Sequence, residues 1–263
     1  MDYFPTVFPA LNAVLDELTA SVQAILGEDC LAVYLQGSFG VGDADEHSDV
    51  DFMVVVREDY EEGNVLDQLQ AMHGRIFEME SDWARHLEGS YFPAAILRRE
   101  DPRRTKLWYL DNTARVLERS DHDNSLVVRW VTREHGITLA GLAPKALIDL
   151  VEPDDLRREV RAVMRDWGAE ILDGRYTIQN RWAQPFVVLS TCRMLQTLET
   201  GTIESKPEGM RWGLSHLDPR WHGLIERAWA DRPDPSTKVR QSADGLEVEL
   251  TLEFVRAAIE GIG

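Results

Sequence analysis

Two aspartates stand one residue apart in Ser48-Asp49-Val50-Asp51, at the head of the apolar run Val50 to Val56. In an extended chain residues i and i+2 point to the same side, so Asp49 and Asp51 project two carboxylates together. Like charges this close repel unless a cation lies between them. Hard oxygen donors at this spacing suit Mg²⁺, which also binds nucleotide phosphates. Ten residues upstream, Gly37-Ser38 opens the run Gly37-Ser38-Phe39-Gly40-Val41-Gly42. Its glycines let backbone N–H groups approach a phosphate, and the Ser38 and Ser48 hydroxyls can donate to phosphate oxygens. The run leads to a second strand, which excludes a dinucleotide-binding fingerprint, and no Lys-Ser/Thr follows, which excludes a Walker A loop. Asp-x-Asp alone is a common surface feature. Joined to Gly-Ser between two apolar strands, it points to nucleotide chemistry.

The elements that must hold these residues are legible on either side. Pro9 to Gly27 carries Leu11, Val14, Leu15, Leu18, Val22, Ile25 and Leu26 at helical spacing, with Gly27 where a helix ends. Leu31 to Leu35 and Val50 to Val56 read as buried strands. Tyr60 to Met79 reads as a helix and Ser90 to Leu97 as a third strand, with Pro93 marking an edge or a bulge. Arg98 to Arg104 reads as a solvated loop, and the basic segment Arg98 to Lys106 has no evident role. From Pro153 the pattern turns helical, with candidate helices over Leu156–Leu172, Phe186–Leu198, Pro207–Leu217, Pro219–Trp229 and Leu246–Ile262. Asp231 to Ala243, polar with two prolines, reads as a loop. The expected class is therefore α+β, with a first domain over 1–153 and a helical domain over 154–263.

Composition narrows the partners. The 263 residues carry 28 Lys and Arg against 46 Asp and Glu, a net charge of −18. That balance disfavours nucleic acid and anionic membrane surfaces, and it suits cationic small molecules. Nine acids fall between Asp43 and Glu62 against one base, Arg57. Two of those acids are the candidate metal ligands, so Mg²⁺ would match part of the charge. Only Cys30 and Cys192 occur, which excludes a disulfide framework and indicates a reducing compartment. The seven histidines are scattered, with no zinc spacing. The N-terminus lacks the features of a signal peptide, and no apolar stretch is long enough for a membrane span. A cytoplasmic monomer is expected.

Gly-Ser followed ten residues later by Asp-x-Asp resembles the nucleotidyltransferase superfamily with the polymerase-β-like fold. That resemblance implies a mixed sheet with helices and a third acid on a later strand. Glu88, in Leu87-Glu88-Gly89-Ser90-Tyr91, is the candidate, with Glu78, Glu80 and Asp82 as nearby rivals. The second half resembles the C-terminal helical domain of the aminoglycoside 3″/9 adenylyltransferases. The matching blocks are Val187-Val188-Leu189-Ser190-Thr191-Cys192-Arg193, Leu198-Glu199-Thr200-Gly201 and Glu204-Ser205-Lys206-Pro207. The resemblance implies that Arg193 and Lys206 contact the ATP phosphates, which an acidic protein binding a polyanion requires. It further implies binding between the two domains, with ATP as co-substrate. Asp49 and Asp51 would hold Mg²⁺, and Glu88 would act as base and share a metal. Gly37, Ser38 and Ser48 would hold phosphates. Trp130, in Val128-Arg129-Trp130-Val131, resembles the family's acceptor-contacting tryptophan; the competing reading is a core residue. The family places acids before the Arg193-type helix, whereas Thr177 to Gln184 holds none. That departs from a streptomycin site, and Trp182 and Gln184 would line the acceptor cleft instead.

The reading is AMP transfer from ATP to a hydroxyl of a small molecule of the spectinomycin/streptomycin kind. The competing readings are transfer to a protein hydroxyl, which shorter single-domain relatives perform, and a nucleotide-binding protein without turnover.

Overall fold

The computed structural model describes residues 4–232 and 235–262. In chain order the elements are α1 (Pro9–Leu26), β1 (Cys30–Leu35), α2 (Gly37–Val41), β2 (Val50–Val56), α3 (Asn64–Phe77), β3 (Leu87–Pro93), α4 (Ala94–Leu97), β4 (Leu107–Leu110) and β5 (Glu118–Ser120). There follow α5 (Leu126–His135), β6 (Ile137–Gly141), α6 (Pro144–Leu147), α7 (Pro153–Leu172), α8 (Ala183–Thr200), α9 (Lys206–His216), α10 (His222–Asp231), α11 (Pro235–Lys238) and α12 (Gly245–Gly261). The chain divides into two compact units. One runs to Ala44 and from Ser48 to Val151; the other takes Asp45–His47 and the chain from Glu152 onward. Among the described residues no helix is long and apolar enough to cross a membrane.

The first unit is a six-stranded sheet in the order β5-β4-β3-β2-β1-β6. Strands β2 and β3 run parallel, joined through α3, and the other neighbours are antiparallel. Strand alternation sorts the apolar side chains onto two faces. Val33, Leu35, Phe52, Val54 and Val56 pack with Leu11, Leu15 and Leu18 of α1 and Leu69 and Met72 of α3. Ala32, Tyr34, Met53, Val55 and Phe92 pack on the other face with Leu97, Leu107, Leu147 and Ile148. By the same alternation Asp51, Glu88, Ser90 and Tyr109 belong to this second face, at the end where its apolar core stops.

Several sequence expectations shift here for identifiable reasons. The expected turn at Gly37–Gly42 folds as the short helix α2, closed by Gly42 in the left-handed region. Helix α3 starts at Asn64 instead of Tyr60, because the Tyr60 carbonyl accepts from Trp108 Nε1 and Arg119 Nη2, each at 2.8 Å. Strand β3 spans Leu87–Pro93, so it starts earlier than expected and ends at the proline, which has no N–H to continue the ladder. Pro93 marks no edge: β3 lies inside the sheet, between β2 and β4. The loop expected over 231–243 contains α11, and 233 and 234 lie outside the described residues. The basic segment is an exposed connection, and three of its arginines, Arg98, Arg99 and Arg104, meet carboxylates. Arg98 pairs with Asp149 at 3.1 Å, and Arg104 with Asp121 at 2.6 Å.

The second unit is helical. Val188, Leu189 and Cys192 of α8 pack with Trp221, Leu224, Ile225 and Ala228, and with Phe254 of α12. Val187, on another side of α8, packs with Ile171, Val248 and Val255. Helix α8 is thus buried on several sides, which fits its weak amphipathic pattern.

One core residue gives the first unit an acid-sensitive stability. His73 is 2% exposed, packs on the Phe52 ring and shares a hydrogen bond of 2.8 Å between Nε2 and Tyr91 Oη. Its Nδ1 has no partner, and burial pushes the imidazole down to about 3 from 6.5. The folded state therefore keeps His73 neutral, whereas the unfolded chain takes up a proton below about 6.5. Stability is lost as pH falls from 6.5 toward 3, at up to about 1.4 kcal/mol per pH unit. Between pH 7 and pH 5 the loss from this group is about 2 kcal/mol. Urea unfolding at those two pH values should show it, and the slope should flatten in His73→Leu. An unchanged slope would refute the assignment.

Candidate active site

The site grows from the register between β2 and β3. Parallel pairing sets Asp51 directly opposite Glu88, two residues into each strand. Partners in register point to the same face, so the two carboxyl groups share one end of the sheet. Asp49 lies just before β2, exposed, and Ser48 precedes it, half-buried. Strand β1 delivers the other component. It ends at Leu35, where the Gln36 N–H donates to the Asp51 carbonyl at 2.8 Å, and the chain turns into α2. Gly37 and Ser38 are the first two residues of α2.

Glycine at 37 is a physical requirement of this arrangement. Its φ is +57°, a conformation that residues with a side chain avoid, and a Cβ there would stand 1.9 Å from Asp51 Oδ2. The Asp51 carboxylate therefore lies directly over the backbone of the Gly-Ser turn. The spacing in sequence, Gly-Ser to Asp-x-Asp, becomes contact in space.

Glu88 has its own surroundings. Its Oε1 accepts from Tyr109 Oη at 2.5 Å, and His122 Nε2 lies 3.6 Å from the same oxygen. Burial pushes the Glu88 carboxyl up from its ordinary range. The Tyr109 hydrogen bond and His122 pull it back, while the charges of Asp49 and Asp123 push it further up. Burial and the adjoining Glu88 push the Tyr109 phenol well up, so it remains a donor. Behind Glu88, the buried Ser90 donates to Asp123 Oδ2 at 2.7 Å. Burial pushes the Asp123 carboxyl up as well. On the opposite flank Asn112 Nδ2 donates to Asp49 Oδ1 at 2.5 Å.

Among the described residues no group of three or more His, Cys, Asp or Glu side chains is arranged to hold a metal ion. The three carboxylates therefore do not form an all-protein cage. Mg²⁺ does not call for one, since it is usually held by one or two carboxylates with waters and substrate phosphates. The Asp49/Asp51 pair beside the Gly37 turn is such a donor set. Glu88 stands across from that pair, held by Tyr109.

In the second unit, Arg193 lies on α8 and Lys206 is the first residue of α9. Arg193 Nε donates to the Glu204 carbonyl at 3.1 Å, two residues before Lys206. Gly209 makes this packing possible, because a Cβ there would stand 2.4 Å from Arg193 Cγ. The two cations thus flank the N-terminus of α9, where the helix dipole favours an anion. Ser205 caps that helix, accepting from the Glu208 N–H at 3.3 Å.

Of the acceptor candidates, Trp130 belongs to the first unit and Trp182 and Gln184 to the second. Trp130 is half-buried on α5 beside His135, with ring centroids 5.4 Å apart. Trp182, at the start of α8, is 38% exposed and stacks on Phe186 at 5.3 Å with 9° between the rings. Gln184 is 6% exposed and donates to Thr251 Oγ1 at 2.8 Å. It also borders a cleft of about 490 Å³ lined by Arg181, Arg227, Asp231 and Glu247. Sequence reasoning passed over Tyr109, Asn112, His122 and Asp123. Their signal was faint: Leu107-Trp108-Tyr109-Leu110 reads as a plain apolar run, and the pairing of β4 with β3 that brings Tyr109 to Glu88 is not a local property.

Comparison with known proteins bears on both units. Residues 18–108 match the family described as nucleotidyltransferase domain, and residues 146–257 match the aminoglycoside adenylyltransferase C-terminal domain. Spectinomycin 9-adenylyltransferases of Staphylococcus aureus strains Mu50 and N315 are 25% identical over 211 residues, covering 76% of this chain and 76% of theirs. Among solved structures, the chain is similar to spectinomycin adenyltransferase AAD(9) from Enterococcus faecialis, crystallised with ATP and spectinomycin. That likeness has a TM-score of 0.67 at 15% identity and covers 94% of this chain and 98% of that one. At that identity the likeness is one of fold: a mixed sheet with helices, then a helical unit.

Proposed function

This chain is a nucleotidyltransferase that resembles the aminoglycoside adenylyltransferases, and from that premise we propose that it moves AMP from ATP to a hydroxyl of a spectinomycin-like aminoglycoside, with Mg²⁺. The observation that carries the reading is the register of Asp51 with Glu88, with the Asp51 carboxylate seated on the Gly37 turn.

Asp49 and Asp51 would hold Mg²⁺, which when bound neutralises charge on the triphosphate and favours in-line attack at the α-phosphorus. Gly37, Ser38 and Ser48 supply N–H and hydroxyl donors to phosphate oxygens. Arg193 and Lys206, from the second unit, clamp the triphosphate through a bidentate fork and a point charge. Glu88 takes the proton of the acceptor hydroxyl as its oxygen bonds to the α-phosphorus. The bond to the β-bridging oxygen breaks, and pyrophosphate leaves with its electron pair. Residues 1–153 would thus carry the chemistry and 154–263 the nucleotide clamp and acceptor contacts. The protein would act as a cytoplasmic monomer.

Spectinomycin is preferred to streptomycin because Thr177 to Gln184 contains no acid to meet a strongly cationic acceptor. Trp182 stacked on Phe186 presents a flat aromatic face, which suits a sugar ring. Trp130 and Gln184 are the other acceptor contacts in this reading.

The test is the protein with ATP, Mg²⁺ and a panel of aminoglycosides, following pyrophosphate release and acceptor mass. A gain of one AMP on spectinomycin is expected. AMP appearing on a protein, or ATP bound without transfer, would replace the reading. Arg193→Ala should raise the KM for ATP about tenfold, the loss of one charge-assisted contact, and leave the KM for the acceptor unchanged. A matched rise in both would place Arg193 outside the triphosphate clamp.

A further inference from the structure

The end of β4 and the turn after it touch both the candidate metal ligand and the candidate base. Asn112 Nδ2 donates to Asp49 Oδ1 at 2.5 Å, and its Oδ1 lies 3.1 Å from His86 Nδ1. The first contact fixes which way the amide faces, since a carboxylate only accepts and so takes the N–H, leaving the amide oxygen toward His86. The Asn112 backbone N–H donates to Asp111 Oδ1 at 3.0 Å. The same Asp111 oxygen lies 3.2 Å from Tyr109 Oη, whose shorter bond, 2.5 Å, goes to Glu88 Oε1. The hydroxyl has one proton, and the distances assign it to Glu88. One short stretch of chain, 109–112, therefore reaches both carboxylates: Tyr109 bonds Glu88 and Asn112 bonds Asp49.

Backbone strain lies at the same place. Thr113, next to Asn112, has φ +65°, in the left-handed region that β-branched residues avoid. The Ala114 N–H closes the turn onto the Asp111 carbonyl at 2.9 Å. Strain of this kind persists where the surroundings over-determine the backbone, and it clusters at functional sites. An amide is also the right group for the task. It fixes a carboxylate through a neutral donor, whereas Lys or Arg would offset the negative charge that a cation needs.

We propose that Tyr109, and Asn112 braced by Asp111, are positioning residues that set the Glu88 and Asp49 carboxylates for catalysis. This rests on the proposed function, in which Asp49 binds Mg²⁺ and Glu88 is the base.

Two variants test it, with Asp51→Asn as the reference. Mn²⁺ binding in the presence of a non-hydrolysable ATP analogue is read by electron paramagnetic resonance. Asn112→Ala should weaken it about tenfold, the usual effect of losing a group that orients a metal ligand. Half-maximal activity should need about tenfold more Mg²⁺, and saturating Mg²⁺ should restore turnover to within a few-fold. Tyr109→Phe should lower kcat about tenfold at unchanged KM for ATP, and should cause no further loss in a Glu88→Gln background. Unchanged Mn²⁺ binding in Asn112→Ala, or additive losses with Glu88→Gln, would overturn the proposal. If Asp51→Asn itself leaves Mn²⁺ binding intact, the metal assignment fails first. If only Asp51→Asn weakens it, the assignment stands and the positioning role falls.

Discussion

Asp51→Asn is expected to lower kcat/KM by about 10³-fold or more, roughly 4 kcal/mol of transition-state stabilisation, while leaving the fold intact. Asparagine keeps the shape and can still sit on the Gly37 turn, where there is no Cβ to collide with it. The contact between the Gln36 N–H and the residue 51 carbonyl is a backbone one and survives. What disappears is one of two adjacent negative charges. Without a cation those charges repel, so the variant's thermal midpoint in the absence of Mg²⁺ should equal or slightly exceed that of the wild type. A thermal melt and a pyrophosphate-release assay together decide the matter. Retained transfer would remove Asp51 from the metal site. A lowered midpoint would make it a structural residue.

Much of this site could be read from the chain because its parts are close in sequence and their spacing encodes geometry. Gly37 to Asp51 is one connection between neighbouring strands, so residue type and count are enough to predict that the Gly-Ser segment and the carboxylates meet, though the segment folds as α2 and not as a plain turn. Glu88 lies one crossover further on. Its strand was expected to begin at Ser90, yet β3 begins at Leu87, and that shift puts Glu88 in register with Asp51. Other features of the fold escaped because their causes are tertiary. Helix α3 starts late because Trp108 and Arg119 hold the Tyr60 carbonyl. Strand β4 has no pattern of its own, and its value lies in its neighbour: pairing Ser90 with Tyr109 turns a phenol toward Glu88. Asn112 is an unremarkable turn residue until the fold brings Asp49 within reach. In the second unit, α8 is buried on several sides and so has little amphipathic period, and family resemblance was the signal that singled out Arg193. The structure adds that Arg193 and Lys206 bracket one helix N-terminus.

Glu88→Gln separates proton transfer from metal binding, and its expected effect is of comparable size. The carbonyl oxygen of glutamine can still accept from Tyr109 Oη, so side-chain placement is preserved. Only the ability to take a proton is lost. Loss of a general base costs about 10²–10⁴-fold in turnover, and that fall should be confined to kcat, with the KM for ATP within about twofold of the wild type. Asp51→Asn should instead impair Mn²⁺ binding, which Glu88→Gln should leave nearly intact. The residual rate of Glu88→Gln should also climb with pH, because the acceptor hydroxyl must then lose its proton to solvent. The two alternatives are separable on these readouts. If Glu88 were chiefly a metal ligand, Mn²⁺ binding would fall with it and added Mg²⁺ would recover turnover. If it were a spectator, turnover would stay above a tenth of the wild-type value. Glu88 is half-buried, held by one phenol and turned toward the face that Asp51 shares, so both roles start from the same placement and the two readouts decide between them.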